Sequence, residues 1–114
     1  MANAALKTTP ARLVFPDDDQ FWFEARRTFG ATAYGGALFG EALAVVSQIV
    51  PGDYDSWHDA WGRAADRVAA KGEGQLSRGH RVSARDSLLR ATTYYQASEF
   101  FLHENPRDPR IARA

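Results

Sequence analysis

The 114-residue chain has no cysteine. That excludes disulfides, thiolate metal sites and a cysteine nucleophile, and leaves the redox compartment unreadable. It has no net charge, with 14 basic and 14 acidic residues. A nucleic-acid or anionic-membrane partner is therefore not expected, since phosphate recognition needs a clustered positive excess. No stretch approaches the ~20 apolar residues of a membrane span. The opening MANAALKTTPARLVF lacks the charged-then-apolar order of a signal peptide. A cytoplasmic protein is expected. Lysine is scarce (Lys7 and Lys71 only), and arginine with abundant alanine hints at a GC-rich bacterial genome. No run of four to eight β-branched or aromatic residues marks a strand.

What is present reads as helix. A hydrophobic fraction of 45% is ordinary for one globular domain, but alanine supplies much of it. The core must then come from close helix contacts anchored by a few aromatics. Residues 1–16, with Pro10 and Pro16, read as an irregular arm. Asp17 to Asp19 offer cap and first-turn carboxylates for a helix with the body QFWFEARRTFG. Its buried contacts would come from Phe21, Trp22 and Phe29, and Gly30 would be the residue just past its end. Three glycines surround Tyr34 in a turn or a loose helix start. A second helix is predicted over 37–50, where Leu38, Ala42, Val45 and Ile49 recur at helical spacing, and Pro51-Gly52 stops it. Asp53, Asp55 or Ser56 caps a third helix with the stripe Trp57, Trp61, Ala64, Ala65 and Val68. Gly72 and Gly74 are expected to end it. A fourth helix begins between Gln75 and Ser83, with Ser83 and Asp86 in capping-box spacing, and Asn105-Pro106 ends it.

The fourth helix is the most informative segment. Its apolar positions form two stripes, Ala84, Leu88, Ala91, Tyr95 and Leu102 on one and Ser87, Tyr94, Ala97 and Phe101 on the other. Adjacent helical residues diverge by about 100 degrees, so Tyr94 and Tyr95 should face different surroundings. The stripe with Leu88 and Tyr95 is expected to pack inside, and that with Tyr94 and Phe101 to face another body. The expected fold is all-α, a small bundle of about four antiparallel helices over 17–105. A polar tail or linker, 106–114, follows and is not expected to be ordered alone.

No GxSxG elbow, phosphate loop, GxGxxG or HExxH is present, and no catalytic residue is assigned. His58, His80 and His103 are too far apart for a local metal pair, so no metal or cofactor is expected, and each reads as a surface or capping histidine. Glu41 falls at the edge of an apolar face and calls for a cation, with Arg85 and Arg90 as candidates for a structural ion pair. Aromatic residues exceed what four short helices can hide, which predicts an apolar patch used as an interface.

Gly40-Glu41, Gly52-Asp53, Ser56-Trp57, Trp61, Ala65, Gly79-His80, Ser83-Ala84-Arg85, Leu89-Arg90-Ala91, Tyr94-Tyr95, Ala97 and Phe100-Phe101 carry a resemblance over roughly residues 30 to 110. The chain resembles the helical N-terminal region of a group of bacterial and fungal α/β-hydrolases. This group includes dihydroxypseudooxynicotine hydrolase-like and acyl-peptidase-like or esterase-like enzymes. The resemblance implies a cap packed over a downstream catalytic domain, the partner in cis, which carries the serine, acid and histidine. Ala114 comes before any such serine, so the chain is expected to be inactive alone. Under this implication Tyr34, Trp57 and Tyr94 are candidates for the substrate pocket. The alternative is a stand-alone helical module for protein interaction or dimerisation.

Overall fold

The computed structural model describes residues 12–113. The predicted arm therefore lies outside the described residues except for its last five positions. Every regular element among the described residues is helical. Helix α1 spans Asp19–Gly30, a 3-10 turn Ala31–Tyr34, α2 Phe39–Val46, α3 Tyr54–Ser77, α4 Arg81–Glu99, a second 3-10 turn Phe100–Glu104, and the short α5 Arg110–Arg113. None of these helices is long and apolar enough to cross a membrane.

The frame is the antiparallel hairpin of α3 and α4. Asp53 caps α3, its carboxylate accepting from the Asp55 and Ser56 amides. The helix does not stop at Gly72 and Gly74 as expected but runs on to Ser77. Tertiary packing overrides the weak helix propensity of glycine there: a Cβ on Gly72 would meet Leu88 of α4 at 2.8 Å. The real stop is Gly79, with φ of 79°. Its N–H bonds to the Leu76 carbonyl and that of His80 to the Gln75 carbonyl, the paired bonds of a Schellman turn. Helix α4 then begins at Arg81 with no side-chain cap. Ser83 and Asp86 lie inside the helix, not at its start.

Trp57, Trp61, Ala64, Ala65 and Val68 are all buried along α3, as their spacing predicts. On α4 the buried residues are Ala84, Ser87, Arg90, Ala91, Tyr94 and Ser98, followed by Phe101 and Leu102. Ala84, Ala91 and Leu102 of the first stripe are buried as expected, but the expectation that the second stripe faces another body is overturned. Tyr94 and Phe101 are 0% and 6% exposed and face this chain's own core, while Leu88 and Tyr95 are only half-buried at its flank. The reason is volume. Small residues at 84, 87, 91 and 98 let α4 lie close to α3, and Trp61 of α3 packs on Tyr94 with ring centroids 5.6 Å apart.

Helix α1 packs across this hairpin through Phe21, Ala25 and Thr28, with Asp18 as its cap. The ring of Phe21 lies 4.9 Å from Trp57 and 5.0 Å from Phe101, and Tyr54 stacks on Phe101 at 4.9 Å. Trp22 and Phe29 are half-buried. Phe15 joins the cluster at 6% exposure with φ of 52°, a left-handed conformation that a bulky residue adopts only when its surroundings hold it there. Gly30 is still helical, and the left-handed glycine is Gly35, after the 3-10 turn. Helix α2 is shorter than predicted, since residues 47–50 leave the helix before Pro51. The tail is tied down: Arg110 forks onto Asp108 and reaches Asp55 at the start of α3.

Candidate functional site

The first polar constellation joins α2 to α4. Leu38, the residue at the cap position just before α2, has no side chain able to cap a helix, and its N–H donates to the Tyr94 hydroxyl at 3.1 Å. That hydroxyl donates onward to Glu41 Oε1 at 2.7 Å. Arg90 holds the same carboxylate from the other side, Nε to Oε1 at 3.0 Å and an Nη to Oε2 at 3.4 Å. Burial, and then donation to the Glu41 carboxylate, pushes the Tyr94 phenol up to about 12. It therefore remains a protonated donor across the physiological range. Glu41 pairs with Arg90. Arg85 is exposed, and its partner is the neighbouring Asp86 at 3.6 Å. The side chains of Tyr94, Glu41 and Arg90 are thus engaged with one another and with the start of α2.

Trp57 is 1% exposed, enclosed by Phe15, Phe21, Trp61 and Phe101, and its indole N–H donates to the Ala97 carbonyl at 2.7 Å. Tyr34 is the opposite case, 70% exposed on the 3-10 turn after α1. Its ring lies against Gly36, where a Cβ would come within 2.6 Å of Tyr34 Cε2. Of the three aromatic pocket candidates, Tyr34 alone is exposed.

Tyr34 stands at the rim of a cleft between the end of α1 and the end of α4, about 380 Å³ in volume, with Glu24, Thr28, Thr93, Gln96 and His103 among its walls. Glu24 is the residue that sequence reasoning missed. It is 7% exposed, and its nearest cation is Arg27, at 3.8 Å. Desolvation raises its carboxyl above the usual range, partly offset by the Arg27 charge. The available signal was its position: Phe21, Glu24, Ala25 and Thr28 fall at i, i+3, i+4 and i+7, so Glu24 lies within the buried stripe of α1.

His58 corrects a second expectation. It is buried, not a surface residue, and its Nδ1 lies 3.0 Å from the Ser98 carbonyl, which can only accept. Nδ1 therefore carries the proton. His103 is exposed beside Glu99 at 3.6 Å, and His80 is the residue before α4. The hydroxyls of Ser47, Ser77 and Ser98 donate to backbone carbonyls and that of Ser87 to Gln75. None of these four hydroxyls donates to an imidazole, and Ser98 meets His58 only through its backbone carbonyl. Among the described residues no group of three histidine, aspartate or glutamate side chains is placed to hold a metal ion.

No protein-family model matches the chain, and no solved structure matches it significantly. Curated proteins do. Hydrolase acrC of Aspergillus aculeatus is 42% identical over 100 residues, covering 88% of this chain and 23% of the relative. The 20-hydroxy-prefusarin hydrolase FUS2 of Gibberella moniliformis is 41% identical over 96 residues, 84% of this chain and 23% of the relative. The α/β hydrolase gkaG of Penicillium citrinum is 34% identical over 98 residues, 85% and 23%. The chain is homologous to the N-terminal ~100 residues of fungal α/β-hydrolases. It spans about a quarter of the length of these relatives, which carry the region fused to a larger hydrolase portion. They are fungal, so the expectation of a bacterial source drawn from composition finds no support among them.

Proposed function

We propose that this helical region is the N-terminal cap segment of a serine α/β-hydrolase. It shapes and shields the substrate pocket of a catalytic domain that follows it in the same polypeptide. The observation that carries this reading is the homology itself: 88% of the chain aligns with a region that makes up 23% of a hydrolase. In that enzyme the downstream serine attacks a carbonyl and an oxyanion hole stabilises the adduct. The cap's part is to exclude water and to give the pocket walls. Tyr34 and the cleft beside Glu24 are the parts of this chain best placed to meet substrate. Trp57 and Tyr94 act from the core by holding α1, α2 and α4 in register.

The test is a graft in which residues 12–113 replace the homologous segment of the Aspergillus hydrolase. A cap should unfold together with the hydrolase in one cooperative transition, at a higher temperature than the isolated chain. Two independent transitions, with the helical part melting as it does alone, would instead favour a stand-alone interaction module.

A further inference from the structure

The eight residues of α2, FGEALAVV, include one ionisable side chain, Glu41, and its carboxylate is turned to Arg90 and Tyr94. Ala42, Val45 and Val46 are buried. That leaves an outer face with no polar side chain: Phe39 and Leu43, one turn apart, are 51% and 41% exposed, and Leu38 just before them is 49% exposed. The face continues past Leu43 into a mostly apolar groove walled by Val14, Pro16, Val46 and Pro51, with Ser47 its one polar side chain and Val50 58% exposed beyond it. A helix that is apolar all round belongs in an interior, and among the described residues α2 is covered on one side only.

A second exposed aromatic patch makes the contrast. Phe23 and Phe100 are 47% and 40% exposed, but the Arg26 guanidinium lies 4.6 Å from the Phe23 ring, and Arg27 lies 5.5 Å from Phe23 and 6.0 Å from Phe100. Those rings are shielded by the chain's own cations. On α2 the Phe39 ring leans on Phe29 of α1, with ring centroids 5.5 Å apart, and among the described residues no cation lies over it.

We propose that the outer face of α2, with the groove beside Leu43, is the surface on which the remainder of a hydrolase chain docks. This rests on the cap reading above. The occupant follows from the relatives, in which about three-quarters of the polypeptide lies outside the region matched here. It also follows from the chemistry of the face. With no charge to pair, it selects an apolar, uncharged surface, and burying it removes the patch from water.

The experiment uses Leu43→Asp in the isolated chain and in the Aspergillus graft, with amide hydrogen exchange and melting as readouts. Leu43 is part-exposed, so the isolated variant should melt as the wild type does. In the graft, the α2 amides should exchange at least about tenfold faster than in the unsubstituted graft. Phe23→Asp, at the arginine-covered patch, should leave α2 exchange in the graft unchanged. Phe39→Ser serves as the second variant should Leu43→Asp prevent folding. A graft that melts as one unit yet is indifferent to both α2 variants overturns this docking face and leaves the cap reading standing. A graft whose two parts melt independently overturns both. An isolated chain that dimerises, and becomes monomeric with Leu43→Asp while the graft is unaffected, overturns the proposal in favour of a second copy as occupant.

Discussion

Gly72 and Leu88 lie so close across the α3–α4 hairpin that a Cβ on Gly72 would stand 2.8 Å from both Cγ and Cδ2 of the leucine. Gly62, ten residues earlier on the same helix, has nothing within 4 Å of its would-be Cβ. The two glycines therefore respond to alanine with opposite signs. Gly62→Ala should stabilise the chain by about 0.5–1 kcal/mol through helix propensity. Gly72→Ala gains the same propensity but forces the helices apart, and should be destabilising by about 1–3 kcal/mol. Urea unfolding of the two variants checks this.

The Glu41 network should behave as a unit. Glu41→Ala leaves the Arg90 guanidinium buried without its partner, a loss of about 3 kcal/mol, while Tyr94→Phe removes one charge-assisted hydrogen bond and the acceptor for the Leu38 N–H, costing about 1–3 kcal/mol. Replacing the pair together, Glu41→Ala with Arg90→Met, should recover much of the first loss. A double-mutant cycle with strictly additive effects would show that the groups are not coupled.

Glu24 gives a pH dependence of definite sign. Its folded-state pKa is raised above 4.5 by desolvation. Ionisation therefore costs stability as pH rises from the ordinary carboxylate value through the raised one, and the cost is constant above that. Glu24→Gln should melt higher than wild type at neutral pH, and the difference should vanish as the pH falls below 4.5. A difference that grows on acidification would mean the carboxylate is stabilised in its charged form.

Asp108 has the opposite sign. Hydrogen bonds from the Arg110 side chain and backbone hold its carboxyl down at about 2. The tie between the 105–113 segment and the start of α3 should persist above the ordinary carboxylate pKa and loosen as pH falls toward 2. Arg110→Ala should release it at neutral pH, read as faster amide exchange in the 105–113 segment with little change in α3 beyond its first turn.

Local patterns in the sequence carried far. The caps at Asp18 and Asp53 and the stripe from Trp57 to Val68 were legible because each depends on residues within one turn or one helix face. Several of the failures involve partners distant in sequence. Gly72 and Gly74 read as a helix stop because the closeness of Leu88 to Gly72 is not a local property. Tyr94 was assigned to an outer face because its partners, Trp61 on α3 and Glu41 and Leu38 at α2, lie far away in sequence. His58 looked like a surface residue, and the 106–114 tail like a segment not ordered alone, because the partners of His58 and Arg110, Ser98 and Asp55, lie 40 and 55 residues away. At the site, the Glu41–Arg90 pairing was among the readings of the sequence. Glu24 was overlooked because FWFEARR reads as a solvated acid among arginines unless the helical phase of Phe21, Ala25 and Thr28 is followed.

Whether this region shapes a hydrolase pocket is tested most directly by the substrate profile of the graft. The Aspergillus hydrolase carrying residues 12–113 should be compared with the same graft bearing Tyr34→Ala, Glu24→Gln, or no helical segment. A fluorophosphonate probe would report that the serine is intact, and p-nitrophenyl esters of increasing acyl length would give kcat/KM. A cap predicts a changed order of preference among the esters on substitution at Tyr34 or Glu24, and loss of discrimination when the segment is removed, with probe labelling retained. Identical profiles for all four proteins, with the serine labelled in each, would contradict it.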